Sequence, residues 1–185
     1  MNSKKEKYVA FLRGINVGGH HKVPMAELRK ELEKMNFENV ITLLNSGNIL
    51  FDGNADDLEH IEKKMAAHLE RAFGFPIPTI IRKAEMINRW LEDDPFKEVI
   101  LTKDIRLYVT FLKEDKEFDF QLPWTSEDQS YKIISKQEKN ILSILDLTIS
   151  KTPKAMLILE KSVGKDITTR NWNTIIRLGK KLADK

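Results

Sequence analysis

Apolar positions along the chain follow two rhythms, short continuous runs and recurrences every three or four residues. Tyr8 to Leu12 is a run that predicts a buried strand. Met25, Leu28, Leu32 and Met35 then place an apolar stripe on a helix opened by Pro24 and running to about Asn36. Val40 to Leu44 and Asn48 to Phe51 are two further strands. The small polar residues Asn45-Ser46-Gly47 between them suit a tight hairpin. Leu58, Ile61, Met65, Leu69 and Phe73 predict a second helix, capped by Asp56 or Asp57 and stopped by Gly74. Ile77 to Ile81 makes a fourth strand. The order βαββαβ is that of a ferredoxin-like unit with both helices on one face of its sheet. Val9 and Phe11 alternate with Tyr8, Ala10 and Leu12, so neither face of the first strand is purely polar. Burial of both faces is expected. An RNA-binding sheet would instead expose stacking aromatics such as Phe11 and Phe51, but the third strand lacks the basic–glycine–aromatic signature of such domains.

The second half reads differently. Ala84 to Leu91 predicts a short helix ending near Asp93-Asp94-Pro95, because proline disfavours helix in the residue before it. That seam divides the chain into a ferredoxin-like subdomain, residues 1–95, and a second subdomain, residues 96–185. Ile105, Leu107, Val109 and Phe111 alternate with Arg106, Tyr108 and Thr110, the pattern of a half-buried strand. Tyr131 to Ile134 and Ile141 to Leu147 form a hairpin around the polar stretch Lys136 to Asn140. Lys154 to Val163 and Asn171 to Leu182 read as terminal helices. The fold class is α+β: two small subdomains, the first ferredoxin-like, the second a further antiparallel sheet with C-terminal helices packed on the first.

Composition narrows the chemistry. With 185 residues, 41% apolar and 32% charged, the chain has the makings of an ordinary core. It contains no Cys, which removes disulfides, thiol catalysis and Cys-ligated metals together. The polar start Met1 to Lys7 and the five-residue apolar run before Arg13 are too short for a signal peptide or membrane span, so a cytoplasmic protein without a membrane partner is expected. The net charge of +3 hides an uneven distribution: residues 1–30 carry +5, residues 150–185 carry +6 and the middle carries −8. Basic ends favour anionic partners, nucleic acid among them.

The loop after the first strand is the most distinctive polar segment. Gly14-x4-Gly19 between a strand and a helix begins like a phosphate-cradling loop, but His20-His21 stand where a nucleoside-triphosphatase needs Lys and Ser or Thr. What survives is a set of small residues, Gly18 and Gly19 with Asn16, flanked by Arg13 and Lys22, which could approach an anion or simply make a tight connection. Ser150-Lys151-Thr152-Pro153 and Thr168-Thr169-Arg170-Asn171-Trp172 read as two further helix entrances, each with hydroxyls for capping and a cation near the positive helix end. His60 and His68 lie about 12 Å apart along one helix and cannot share a metal, and Asp52 is a simple turn former after the third strand. No metal site is expected.

Phe11-Leu12-Arg13-Gly14-Ile15-Asn16-Val17-Gly18-Gly19, Pro24-Met25-Ala26-Glu27-Leu28, Ser46-Gly47-Asn48-Ile49-Leu50-Phe51, Ser150-Lys151-Thr152 and Thr168-Thr169-Arg170-Asn171-Trp172-Asn173-Thr174 together resemble a bacterial family, the domain of unknown function 1697. The resemblance implies an α+β fold of two subdomains with ferredoxin-like character, and no established activity. Thr42-Leu43-Leu44-Asn45 departs from the Thr-Tyr-Ile-Gln type of run the family often carries, removing an aromatic from the hairpin.

These motifs lead to one functional expectation: binding of a phosphate-bearing or other anionic small molecule in an inter-subdomain cleft. The expected ligand-binding residues are Arg13, Asn16, Gly18, Gly19, Lys22, Ser46, Asn48, Lys151, Thr152, Thr169, Arg170 and Asn171, with Arg13 and Arg170 as a clamp. Nucleic-acid binding and a purely structural or interaction role are the alternatives. No reaction, catalytic residue or cofactor is assigned.

Overall fold

The computed structural model describes residues 5–54 and 57–184. The chain folds as two compact units, the first ending at Arg89 and the second spanning Trp90–Asp184.

The first unit contains β1 (Glu6–Leu12), α1 (Met25–Lys34), β2 (Glu38–Leu43), β3 (Asn48–Gly53), α2 (Leu58–Phe73) and β4 (Thr79–Lys83), followed by the start of α3 (Glu85–Asp93). Its antiparallel sheet has the order β2-β3-β1-β4, the ferredoxin-like arrangement that the alternation of runs and stripes predicts. Leu28 and Leu32 of α1 and Met65 and Leu69 of α2 join Tyr8, Ala10, Leu12, Ile49, Phe51 and Ile81 in one core. Local signals set the limits of α2. The Asp57 carboxylate accepts from the Glu59 and His60 amides, and Gly74 ends the helix at φ 82°. Asp56, the alternative cap, lies outside the described residues.

Phe11 and Phe51 are both buried, but they do not share a face. Phe51 lies among the helix-facing residues with Phe37 and Tyr8, whereas Phe11, three positions along β1 from Tyr8 and paired with Asn48, belongs to the opposite face. Asp52 is part of β3 rather than a turn former beyond it, and accepts a hydrogen bond from Asn39 at 2.6 Å. Glu62 of α2, though buried, accepts from the Ile81 amide of edge strand β4 at 2.7 Å. That contact satisfies a donor the sheet leaves unpaired.

The second unit holds β5 (Ile105–Leu112), β6 (Trp124–Thr125), β7 (Tyr131–Gln137), β8 (Asn140–Asp146), α4 (Thr152–Val163), β9 (Ile167–Asn171) and α5 (Trp172–Ala183). Its sheet has the order β6-β7-β8-β5-β9. β5 is not the half-buried strand its alternation suggests. Tyr108 and Leu112 face a core with Ala155, Leu159 and Val163 of α4. Leu107, Val109 and Phe111 alternate to the other face and are buried as well. On that side Trp90 lies 6.1 Å from Phe111 and 6.3 Å from Trp172, ring centre to ring centre.

β9 was not expected. Thr168-Thr169-Arg170 is not a helix entrance but a strand paired with β5 in the register Phe111–Thr168, Thr110–Thr169 and Val109–Arg170. The helix begins only at Trp172. α4 also starts differently from its reading: Lys151, not a hydroxyl residue, occupies the N-cap position, without a side-chain hydrogen bond, and Thr152 rather than Pro153 is the first helical residue. Among the described residues no helix is long and apolar enough to cross a membrane.

Candidate functional site

In the first unit, the loop after β1 and the β2–β3 turn meet. The Leu12 amide donates to the Gly47 carbonyl at 2.8 Å, and the Asn16 carboxamide donates to the Asn45 carbonyl at 2.8 Å. Gly47 is buried with φ 76°; a Cβ there would come within 2.7 Å of Leu12 Cβ and 2.9 Å of Ile15 Cδ1. Only glycine fits the approach. Asn48, fully buried, donates from its carboxamide to the Leu43 carbonyl and to the Ser46 hydroxyl, each at 3.0 Å.

The glycine pair has a specific turn role. Val17 and His20 form an antiparallel bridge, the His20 amide donates to the Val17 carbonyl at 3.1 Å, and Gly18 and Gly19 have φ 60° and 79°. Two successive positive φ values make this a primed hairpin turn. α1 begins only at Met25, so the glycines do not stand at its N-terminus. His21 stacks on Phe75 at 4.4 Å, with Nδ1 3.1 Å from the Gly14 carbonyl. Lys22 is exposed and Arg13 half-buried.

In the second unit, the cross-strand register separates Thr169 from Arg170. The Thr169 hydroxyl lies 2.7 Å from that of Thr110, and the Thr152 hydroxyl 3.0 Å from that of Tyr108. Arg170 projects to the opposite face, where Nη1 donates to the Thr168 hydroxyl at 2.8 Å and the Thr169 carbonyl at 3.0 Å. Burial pushes its pKa down to about 10, which leaves it cationic at neutral pH. Lys151 is exposed. Asn171 caps α5 by accepting from the Asn173 amide at 2.9 Å.

A cavity of about 700 Å³ lies in the second unit beside that cap. Its cationic lining is Lys97, Lys103 and Arg106; its single carboxylate among the described residues is Asp94; Asn171 and Asn173 add amides. Phe96 and Trp172, packed edge to face at 5.0 Å, stand at its wall. Residues 94–104, which supply much of the lining, are irregular but ordered by local bonds. Asp94 Oδ1 accepts from the Phe96 amide at 3.3 Å, and the Thr102 hydroxyl from the Asp104 amide at 3.2 Å. Arg106 is anchored as its Nη1 donates to the Lys103 and Ile105 carbonyls at 2.7 and 3.1 Å.

Of the twelve residues expected from sequence, Asn171 lines this cavity; Lys97, Lys103 and Arg106 were missed. A signal existed: a long stretch without helical or strand periodicity that nevertheless carries Val99, Ile100 and Leu101 between lysines. Among the described residues no group of three or more His, Asp or Glu could hold a metal ion. His68, one of the two helix histidines, has Nε2 2.9 Å from Glu31 Oε2 of α1.

The two units define an α+β protein whose ferredoxin-like βαββαβ half precedes an antiparallel five-stranded half. The chain belongs to the family described as protein of unknown function DUF1697, whose model matches residues 5–140. It is similar in structure to the conserved bacterial protein SP0830 from Streptococcus pneumoniae, at TM-score 0.70 and 25% identity, covering 96% of this chain and 98% of the other. No curated protein matches the chain.

Proposed function

We propose that this protein binds an anionic small molecule, phosphate- or carboxylate-bearing, in the second-unit cavity. The supporting observation is the charge of its lining. Lys97, Lys103 and Arg106 face one carboxylate, Asp94, which is already engaged by the Phe96 amide. The first turn of α5, beginning beside Asn171 and Asn173, adds the partial positive charge of a helix start. The volume of about 700 Å³ falls among those of small-molecule sites.

Thermal-shift measurements with inorganic phosphate, nucleotides, sugar phosphates and alkyl phosphates test the reading. A ligand that binds the folded chain raises its melting temperature by mass action. The Lys103→Ala/Arg106→Ala variant should lose that response. No response from the unmutated protein at millimolar ligand, or an equal response from the double variant, overturns it. Binding to nucleic acid alone, weakening log-linearly with salt, would favour the alternative partner.

A further inference from the structure

The apolar part of the same cavity has a character of its own. Its two aromatic residues are almost fully covered, Phe96 at 4% and Trp172 at 6% exposure, so neither ring offers a free face for stacking a base. Leu101, by contrast, lines the cavity while 65% exposed. Val99, Ile105 and Ile176 are half-buried beside it. The accessible apolar wall is therefore aliphatic.

Size points the same way. At roughly 30 Å³ per water in the liquid, a cavity of about 700 Å³ is far larger than a bare phosphate or carboxylate needs. A small ion would leave the aliphatic wall in contact with water. An occupant complementary to both surfaces places an anionic head at Lys97, Lys103 and Arg106, and an apolar body against Val99, Leu101, Ile105 and Ile176.

Building on the anion-binding reading, we infer that the ligand is an anion with an aliphatic body, of the alkyl- or acyl-phosphate or carboxylate type, rather than a nucleotide or a bare ion. Each methylene buried against the wall contributes about 0.8 kcal/mol, which corresponds to a roughly fourfold gain in affinity.

Calorimetric titration of the full chain with methyl, butyl and octyl phosphate, all below micellar concentration, tests the inference. Affinity should climb along the series by at least tenfold. Octyltrimethylammonium, with the same tail and opposite charge, should not bind. Leu101→Ser, at an exposed position, should flatten the series, weakening octyl phosphate far more than methyl phosphate; a melt without ligand checks its fold. Lys103→Ala should weaken all three phosphates together. Equal affinity for methyl and octyl phosphate overturns the aliphatic inference and leaves the anion reading standing. Tighter binding of nucleotides than of octyl phosphate does the same. Failure of every phosphate, or equal binding of the ammonium compound, overturns both. Binding to anionic phospholipid vesicles without binding to soluble octyl phosphate assigns the contact to a membrane surface and overturns the inference.

Discussion

The carboxamide of Asn16 clasps the backbone of Val23 on both sides: Oδ1 accepts from the Val23 amide at 2.8 Å, and Nδ2 donates to the Val23 carbonyl at 3.0 Å. Nδ2 also reaches the Asn45 carbonyl. One side chain thus closes the loop between Asn16 and Val23 and ties it to the neighbouring hairpin. Asn16 itself has φ 56°, a conformation asparagine tolerates better than most residues.

Asn16→Ala should therefore lower stability by about 2–3 kcal/mol, since it leaves the amide and carbonyl of buried Val23 short of a partner. Urea denaturation measures it. Asn16→Asp keeps the acceptor and loses the donor, so its cost should be intermediate. A loss under about 0.5 kcal/mol for the alanine variant would show that the loop closes without this clasp.

Gly47 and Gly18 separate two reasons for glycine. Both have positive φ, but a Cβ at Gly47 collides with Leu12 and Ile15, whereas none of the surroundings at Gly18 lies within 4 Å. Gly18→Ala should cost about 1–2 kcal/mol from backbone strain alone. Gly47→Ala adds overpacking of a further 1–3 kcal/mol or so. Equal losses for the two would mean that the Leu12–Gly47 approach relaxes freely.

Elements legible in the sequence are those whose signals are local. α2 carries its stripe between its own cap, Asp57, and its own stop, Gly74, and folds as read. β9 carries almost none: Thr168-Thr169-Arg170 contains no apolar residue, and becomes a strand because β5, some sixty positions earlier, offers an unpaired edge. The same non-local event moved Arg170 from a helix start to a strand and turned it away from Thr169. The second burial of β5 has a similar origin, because Tyr108 and Thr110 look polar in isolation yet meet Thr152 and Thr169 hydroxyls in the fold. Candidate residues of the glycine loop were legible as a group, but Asn16, Gly18 and Gly19 shape the loop through bonds and turn geometry. The cationic cavity was hidden because its lining comes from a segment without periodicity, from the start of β5 and from α5, joined only by folding.

Asp128 links stability to pH. Its Oδ2 pairs with Lys154 at 2.5 Å, and its Oδ1 accepts from the Ser126 and Ser130 hydroxyls at 2.7 Å each and from the Ser130 amide at 3.1 Å. Lys154 first, then the serines, hold this carboxyl far below its ordinary value of 3.8. Asp115, through Lys136, and Asp146, through Thr148, are shifted in the same direction. A depressed folded-state pKa means that the unfolded chain takes up the proton first on acidification, so stability rises with pH across this window. The contribution is fully present above the ordinary aspartate range and disappears as pH falls through the depressed value. Asp128→Asn should consequently be less stable than the unmutated protein at pH 7, with the gap narrowing below about pH 4. Urea midpoints measured between pH 7 and pH 2 check it; a gap that stays constant would assign the acid sensitivity to other carboxyls.

Tyr131 and Ser143 invert the usual expectation for polar groups. Both hydroxyls are buried and lack a well-formed hydrogen bond. Burial pushes the Tyr131 pKa well above its ordinary value, and the nearby Ser143 hydroxyl offsets this only in part. β8 places Ser143 on the face of the sheet that packs against α4, between Ile141 and Leu145 of the same strand. A buried donor without a partner costs about 1–3 kcal/mol of desolvation, and removing it returns part of that cost. Tyr131→Phe leaves the ring in place, and Ser143→Ala removes one small atom. Each should be neutral or stabilising, by up to about 1 kcal/mol, in chemical denaturation. The double variant should not fall below either single one, since neither hydroxyl relies on the other for a good bond. A loss of more than about 1 kcal/mol in either single variant would show instead that the two hydroxyls are satisfied in solution, through each other or through an internal water.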